Sequence, residues 1–211
     1  KVKPKLISLF LIIGLIPLVL IGWWSIRNGG NALTEKAFDQ LMAVRDIKKN
    51  QLADYIETST TQMKVFARSK DVADLYQALF KYHQDTKVRP DGPYNVKTSE
   101  YLRIWQEFGD NIARYKDDSG IYDIFIICAA HGHIMYSVDK ALDLGSNLRF
   151  GPYKDSGLAD VWGKVIETKQ PSFTDFTAYA PKGNEPAAFM GFPIYKAGSV
   201  LGVIVFQMSL D

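Results

Sequence analysis

The first long hydrophobic run of the chain extends from Leu6 to Trp24 and contains no charged residue. At about 1.5 Å per residue in a helix, a run of this length spans a hydrocarbon core of about 30 Å. A cleaved secretory signal has a shorter apolar core followed by small residues, whereas this run ends in GWWSIR. Several lysines precede this run on its N-terminal side, and Arg27 is the only basic residue that closely follows it. The pattern therefore predicts an uncleaved transmembrane anchor whose N-terminus lies in the cytoplasm.

A helical pattern follows the anchor. The segment from about Leu33 to Phe80 contains neither glycine nor proline and keeps apolar residues at helical spacings, which predicts one long helix or two nearly collinear ones. Asn28, Gly29 and Gly30 are expected to hinge or interrupt the helix before it. Residues 81–97 are polar with two prolines and predict a loop. A second amphipathic helix is capped by Thr98 or Ser99 and carries apolar residues at Tyr101, Trp105, Phe108, Ile112 and Tyr115.

The period changes from helical to alternating at Ile121. Two strands around a turn at residues 130–132 are predicted, and the first is apolar on both faces, as in a central strand. Asp155 or Ser156 opens a short helix that Pro171 stops. Three further strands are predicted near Ser172–Tyr179, Ala187–Tyr195 and Val200–Met208. The fold class is therefore α+β, with a five- to six-stranded antiparallel sheet.

Composition narrows the function classes. The net charge is +2, and basic residues are scattered among acidic ones, so no nucleic-acid-binding face is predicted. The sequence contains no HExxH, GxSxG, GxxxxGK or paired-cysteine motif, so we expect no enzyme and no cofactor. The single cysteine, Cys128, excludes an internal disulfide and is expected to be an apolar core residue.

Two histidines flank a glycine in the predicted hairpin turn. His131 and His133 are ligand types for a transition metal, but two neighbouring turn residues lack the third ligand that a specific site needs. The sequence thus predicts a solvent-exposed turn and no metal site.

Several ordered blocks resemble a known family. They are similar to the membrane-distal module of double-Cache sensors in methyl-accepting chemotaxis receptors, and the blocks are YDIFIICAAHGHIMYSV, DLGSNLRFGPYKDSGLA, DFTAYAP, PAAFMGFPIY and GVIVFQMSLD. The resemblance implies a PAS-like Cache domain on a long N-terminal helix behind a transmembrane helix. It implies three parts: an anchor over 1–28, a signalling and dimerisation helix over 29–85, and a sensor module over 86–211. It also implies that more protein follows, so we expect a chain truncated at its C-terminus.

The same resemblance implies a ligand-sensing receptor fragment for chemotaxis. Its implied location is the bacterial inner membrane, with the sensor domain in the periplasm or extracellular space. Implied partners are a small molecule (an amino acid, organic acid or amine), the membrane and a second copy of the chain. Two alternatives stay open: a sensor input of a membrane-bound diguanylate cyclase or histidine kinase, and a membrane-anchored periplasmic assembly or adhesion domain.

Candidate ligand-binding residues follow from where such domains hold their pocket, beside the loop and helix after the second strand. Arg149 can pair a carboxylate in bidentate fashion and Tyr153 can close the pocket. Asp175 and Tyr179 share strand parity, so they are expected to face one side together, with Asp175 binding a ligand ammonium. Asp155 completes the candidate set. The alternative is a structural ion pair between Arg149 and Asp155 or Asp175.

Overall fold

A computed structural model of the chain describes residues 3–196 and 198–208. It contains an α+β arrangement with five strands, as the sequence predicts. The helices are α1 Lys3–Ala67, α2 Lys70–Asp85, α3 Ser99–Ser119 and α4 Gly157–Thr168. The strands are β1 Asp123–Cys128, β2 Ile134–Ser137, β3 Ser172–Tyr179, β4 Glu185–Lys196 and β5 Ser199–Met208.

Helix α1 belongs to both of the compact units into which the chain divides, residues 1–59 and 60–211. Its backbone continues through Gly29 and Gly30, where the sequence indicated a hinge or an interruption. Among the described residues, no helix has both the length and the apolar composition needed to span a bilayer. The side chains of residues 6–9, at the start of the predicted anchor over Leu6–Trp24, lie outside the described part of the chain. The anchor therefore stays a prediction.

Helix boundaries in the second unit follow local capping chemistry. The long helix predicted to reach Phe80 is divided, because α1 ends at Ala67 and Ser69 caps α2 by accepting a hydrogen bond from the Val72 amide. Thr98 caps α3 and Ser156 caps α4 in the same way, as the sequence predicts. A side-chain oxygen at this position satisfies an otherwise unpaired amide of the first turn.

The five strands form one antiparallel sheet in the order β2-β1-β5-β4-β3. All six residues of β1 are buried, which confirms that both of its faces are covered. The long connection between β2 and β3 carries a loop and then α4. This loop and α4 therefore connect β2 and β3, which are the two edge strands of the sheet.

Each face of the sheet has its own hydrophobic core. Helices α2 and α3 pack on one face, where Tyr76 donates a hydrogen bond to the Leu201 carbonyl on β5 at 2.5 Å. Helix α4 packs on the other face, and this second core contains Phe125, Leu158, Val161, Trp162, Val165, Phe189 and Val205. The loop after β2 thus lies on the α4 side, where the sequence predicts the ligand.

Candidate functional site

The loop that carries the predicted site is fixed to the β1–β2 turn by backbone hydrogen bonds. The Leu148 amide donates to the Gly132 carbonyl at 2.8 Å. Asn147 organises the loop itself: its side-chain oxygen accepts from the Arg149 amide at 2.8 Å, and its side-chain nitrogen donates to the Pro90 carbonyl at 2.9 Å. The loop, the hairpin turn and the segment before α3 are therefore held as one connected structure.

Arg149 presents its guanidinium on the surface of this loop. The group lies over the Trp162 ring, with 5.6 Å between the guanidinium carbon and the ring centroid. Asp155 and Asp175 are also exposed. Among the described residues no ion pair joins Arg149 to either carboxylate, so the structural ion pair considered from the sequence is not formed there. The guanidinium stays accessible to an anionic group.

The expected pairing of Asp175 with Tyr179 on one face of β3 is wrong. The register with β4 shifts between Thr174 and Thr177, because three steps along β3 match two steps along β4. This bulge reverses the alternation of side chains, so Tyr179 is buried with Thr174 while Asp175 is exposed. Strand parity read from sequence fails at an inserted residue.

Tyr179 instead contacts a carboxylate that the sequence did not single out. Its hydroxyl donates a hydrogen bond to Asp143 Oδ2, and both residues are buried, at 2% and 0% exposure. The half-buried Tyr153 packs on the same core and helps to raise the pKa of Tyr179, although burial and Asp143 raise it more. Tyr153 and Tyr179 therefore belong to the same hydrophobic core, and the Tyr179 hydroxyl joins that core to Asp143.

The second oxygen of Asp143 defines the chemistry available here. Oδ1 is buried and has no hydrogen-bond partner among the described residues. Burial raises the pKa of this carboxyl, while the hydrogen bond from Tyr179 and the nearby backbone amides of Asp143 and Leu144 oppose the rise. An unpaired buried acceptor costs free energy that a donor group would recover. The arrangement favours an ammonium or another N–H or O–H group beside Asp143.

A basic cleft lies elsewhere in the second unit, at the junction of α1 with β4. Its charged lining consists of Lys64, Arg68 and Lys169, and Phe192 and Tyr195 supply apolar walls. None of the three cations forms an ion pair within 4.0 Å in the described part of the chain. The cleft is therefore a second place where an organic anion can bind.

The hairpin turn also differs from its sequence prediction. His133 is fully buried and His131 half-buried, so the turn is not solvent-exposed. His83 from the last turn of α2 and Cys128 from the end of β1 meet them, and one ligand atom of each residue lies within 4.8 Å of all the others. The two turn histidines therefore do not lack further ligand types, because α2 brings His83 to them and β1 brings Cys128.

Hydrogen bonds orient the imidazoles of this cluster. His83 Nε2 lies 3.1 Å from His133 Nδ1, and His133 Nε2 lies 2.9 Å from the Gly92 carbonyl. Because a carbonyl only accepts, His133 Nε2 carries the proton and Nδ1 presents its lone pair to the cluster. Burial, with His133 and His131 nearby, lowers the pKa of His83 to about 4, so this imidazole is neutral at pH 7. Sequence spacing did not reveal His83, since it lies on a different element.

Several solved structures resemble the chain at low sequence identity. The sensor domain of the histidine kinase DctB from V. cholerae is 18% identical with a TM-score of 0.45, and the match covers 82% of this chain and 58% of that one. The ligand-binding domain of the Pseudomonas fluorescens chemoreceptor CtaA, in complex with L-isoleucine, is 14% identical with a TM-score of 0.34 and coverages of 79% and 60%. That of the Pseudomonas aeruginosa PAO1 amino acid chemoreceptor PctC, in complex with GABA, is 15% identical with a TM-score of 0.32 and coverages of 77% and 61%.

No protein-family model and no curated protein matches the sequence. The chain spans about three fifths of the length of these three solved chains. Those solved structures are ligand-binding and sensor domains of chemoreceptors and of a histidine kinase.

Proposed function

We propose that this chain is the ligand-sensing part of a transmembrane chemoreceptor and binds a small polar molecule beside α4. The observation that carries the proposal is the Asp143 carboxylate, which is fully buried yet has one oxygen without a hydrogen-bond partner among the described residues. Most buried side-chain oxygens in folded proteins have at least one hydrogen-bond partner. An unpaired one on an aromatic core is the kind of group that recognises a ligand amine.

The surroundings of Asp143 favour an amino acid or amine. Tyr179 and Phe189 stack edge to face with 4.9 Å between their ring centroids and provide an aromatic wall. Tyr153 is half-buried, comes from the loop and packs on the same core as Tyr179, so a movement of the loop would change the cover over this core. Arg149, accessible on the same loop, would bind a carboxylate at the other end of the ligand.

Sensing requires that the bound and free states differ in structure. The loop is bonded to the β1–β2 turn through Leu148 and Gly132, and β1 pairs with the central strand β5. A ligand that binds one loop position more tightly shifts the population toward it, and the shift would reach β5 and α1. We propose the inner membrane as the location, with the sensor module outside the cytoplasm and α1 as a dimer contact. The sequence blocks similar to chemotaxis receptors favour this output over a kinase or cyclase.

A ligand screen on the full chain in non-ionic detergent tests the proposal. Amino acids, amines and organic acids are added singly, and the unfolding temperature is measured. A ligand at about 100 times its Kd stabilises the native state by about 2.7 kcal/mol, which raises Tm by about 5–10 °C in a chain of this size. We expect Asp143→Asn to abolish the shift and Arg149→Ala to weaken it for ligands with a carboxylate.

Two controls locate the site. Asp160→Asn changes an exposed carboxylate on α4 that pairs with Lys164 and should keep the full shift. Arg68→Gln removes a cation from the basic cleft and should also keep it. If Arg68→Gln alone abolishes the shift, the ligand binds in the basic cleft and the proposed site is wrong. A folded chain that responds to none of the compounds contradicts small-molecule sensing here and favours the assembly or adhesion alternative.

A further inference from the structure

A side-chain cluster on the opposite side of the hairpin turn has no part in the ligand site described above. It consists of His83, Cys128, His131 and His133, which we call the HHHC cluster. These are all the histidines and the only cysteine of the chain. Three separate elements bring them together, since α2 supplies His83, β1 supplies Cys128 and the following turn supplies the rest. Packing for its own sake does not require three imidazoles and a thiol at one point.

We infer that the HHHC cluster is a zinc site with four protein ligands, three imidazole nitrogens and the Cys128 thiolate. The ligand atoms lie within 4.8 Å of one another. Tetrahedral zinc with bonds of about 2.0–2.3 Å requires ligand separations of about 3.4–3.6 Å. To reach this geometry, the widest separation in the cluster would have to shorten by about 1 Å. Imidazole and thiolate are the ligands that zinc prefers, and a carboxylate set for calcium or magnesium is absent from the cluster.

The hydrogen bonds around the cluster match those of a metal centre. His133 directs Nδ1 into the cluster while its other ring nitrogen, Nε2, donates to the Gly92 carbonyl. Such an outer bond fixes the ring and its tautomer for ligation. His131 Nδ1 is buried without a hydrogen-bond partner among the described residues. A metal ion would satisfy that nitrogen, which is otherwise an unpaired buried polar atom.

Four protein ligands close the coordination sphere, so the site is structural and not catalytic. Zinc here would fasten the end of α2 to the β1–β2 turn. A hydrogen bond between Gly132 and Leu148 joins this turn to the ligand loop. The Cys128 carbonyl also accepts a hydrogen bond from Trp162 Nε1 at 3.1 Å. Bound zinc would therefore stiffen the frame from which the loop is held. The inference stands independently of the ligand proposed for Asp143.

The test measures zinc binding by the full chain in detergent, stripped of metal with a chelator and kept reduced. Competition against a chromophoric chelator at neutral pH should give one zinc per chain. Cys128→Ser and His83→Gln each remove one ligand and should weaken zinc binding by about 100-fold or more. Losing only an outer-shell hydrogen-bond partner already costs about 10- to 100-fold in metal affinity, and losing a ligand itself should cost at least as much. Asp91→Asn is the matched control, because this exposed carboxylate pairs with Arg89 in the adjacent segment and supplies no ligand.

Cobalt gives a second, spectroscopic readout, and its first measurement uses the native chain. Co²⁺ in the native chain should show the visible bands of a tetrahedral complex together with a thiolate charge-transfer band, and Cys128→Ser should lose the latter. Circular dichroism of the metal-free variants confirms that they are folded.

Several results would overturn the inference. They are a folded native chain that takes up neither zinc nor cobalt, zinc binding that is unchanged in both ligand variants, and a cobalt spectrum without the thiolate band. Uptake of copper without zinc would overturn the choice of ion.

Discussion

Tyr179→Phe removes the hydroxyl that donates to the buried Asp143 carboxylate and leaves the ring in place on Phe189. The ring retains its packing, so the cost is that of the hydrogen bond. Loss of one bond to a charged, buried acceptor costs about 1.5–3 kcal/mol. For a chain of this size, about 2 kcal/mol corresponds to a fall in Tm of about 4–8 °C.

The cost of Tyr179→Phe should grow with pH. Burial raises the pKa of Asp143 above its ordinary value of 3.8, so the native state holds a proton that the unfolded state has released once the pH exceeds that value. Native stability from this group therefore falls as pH rises through that window. The hydroxyl stabilises the ionised carboxylate, so its removal raises the pKa further and makes the fall steeper. Below about pH 4 both states are protonated and the difference should shrink.

The assay is thermal unfolding of the full chain in detergent, followed by tryptophan fluorescence at about pH 4 and about pH 8. Tyr195→Phe is the matched control: the same hydroxyl is removed where it donates to the Lys169 carbonyl at an exposed position. That change should alter stability by no more than about 0.5 kcal/mol. An equal loss for both variants, or a Tyr179→Phe loss that does not change with pH, would refute the assigned role of the Asp143–Tyr179 pair.

Two further changes probe other parts of the second unit. Gly202→Ala should destabilise the chain by about 1–3 kcal/mol in thermal unfolding, because the added Cβ would lie 2.3 Å from a ring carbon of Tyr76. Gly163→Ala on α4 is the control: its added Cβ meets nothing within 4 Å, so the change should be neutral or stabilising by up to about 1 kcal/mol. Asp123→Asn should flatten the pH dependence of Tm between about pH 4 and pH 7. Burial raises the pKa of Asp123 to about 7 against the hydrogen bond from Ser137, so native stability from Asp123 falls as pH rises through that window. An unchanged Tm for Gly202→Ala, or an unchanged pH profile for Asp123→Asn, would contradict these assignments.

Local patterns in the sequence determined the secondary structure. The caps of α3 and α4 were narrowed to two adjacent residues each, Thr98 or Ser99 and Asp155 or Ser156, because a cap depends only on the residue and the amides two or three positions ahead. The structure selects Thr98 and Ser156. The strand from Ser172 to Tyr179 has the predicted bounds, and the burial of β1 on both faces follows from its largely apolar composition. These features depend on neighbours in sequence, so a single sequence is sufficient to find them.

Tertiary structure decided which functional groups meet. The bulge in β3 places Asp175 and Tyr179 on opposite faces of the strand. The pairing of β3 with β4 sets the position of the inserted residue, and the alternation of residue types along β3 does not reveal it. Asp143 and Tyr179 are 36 residues apart, and His83 and His133 are 50 apart. Their contacts arise because burial of apolar faces packs α2 and the loop onto the sheet, and that long-range packing has no local signature in the sequence.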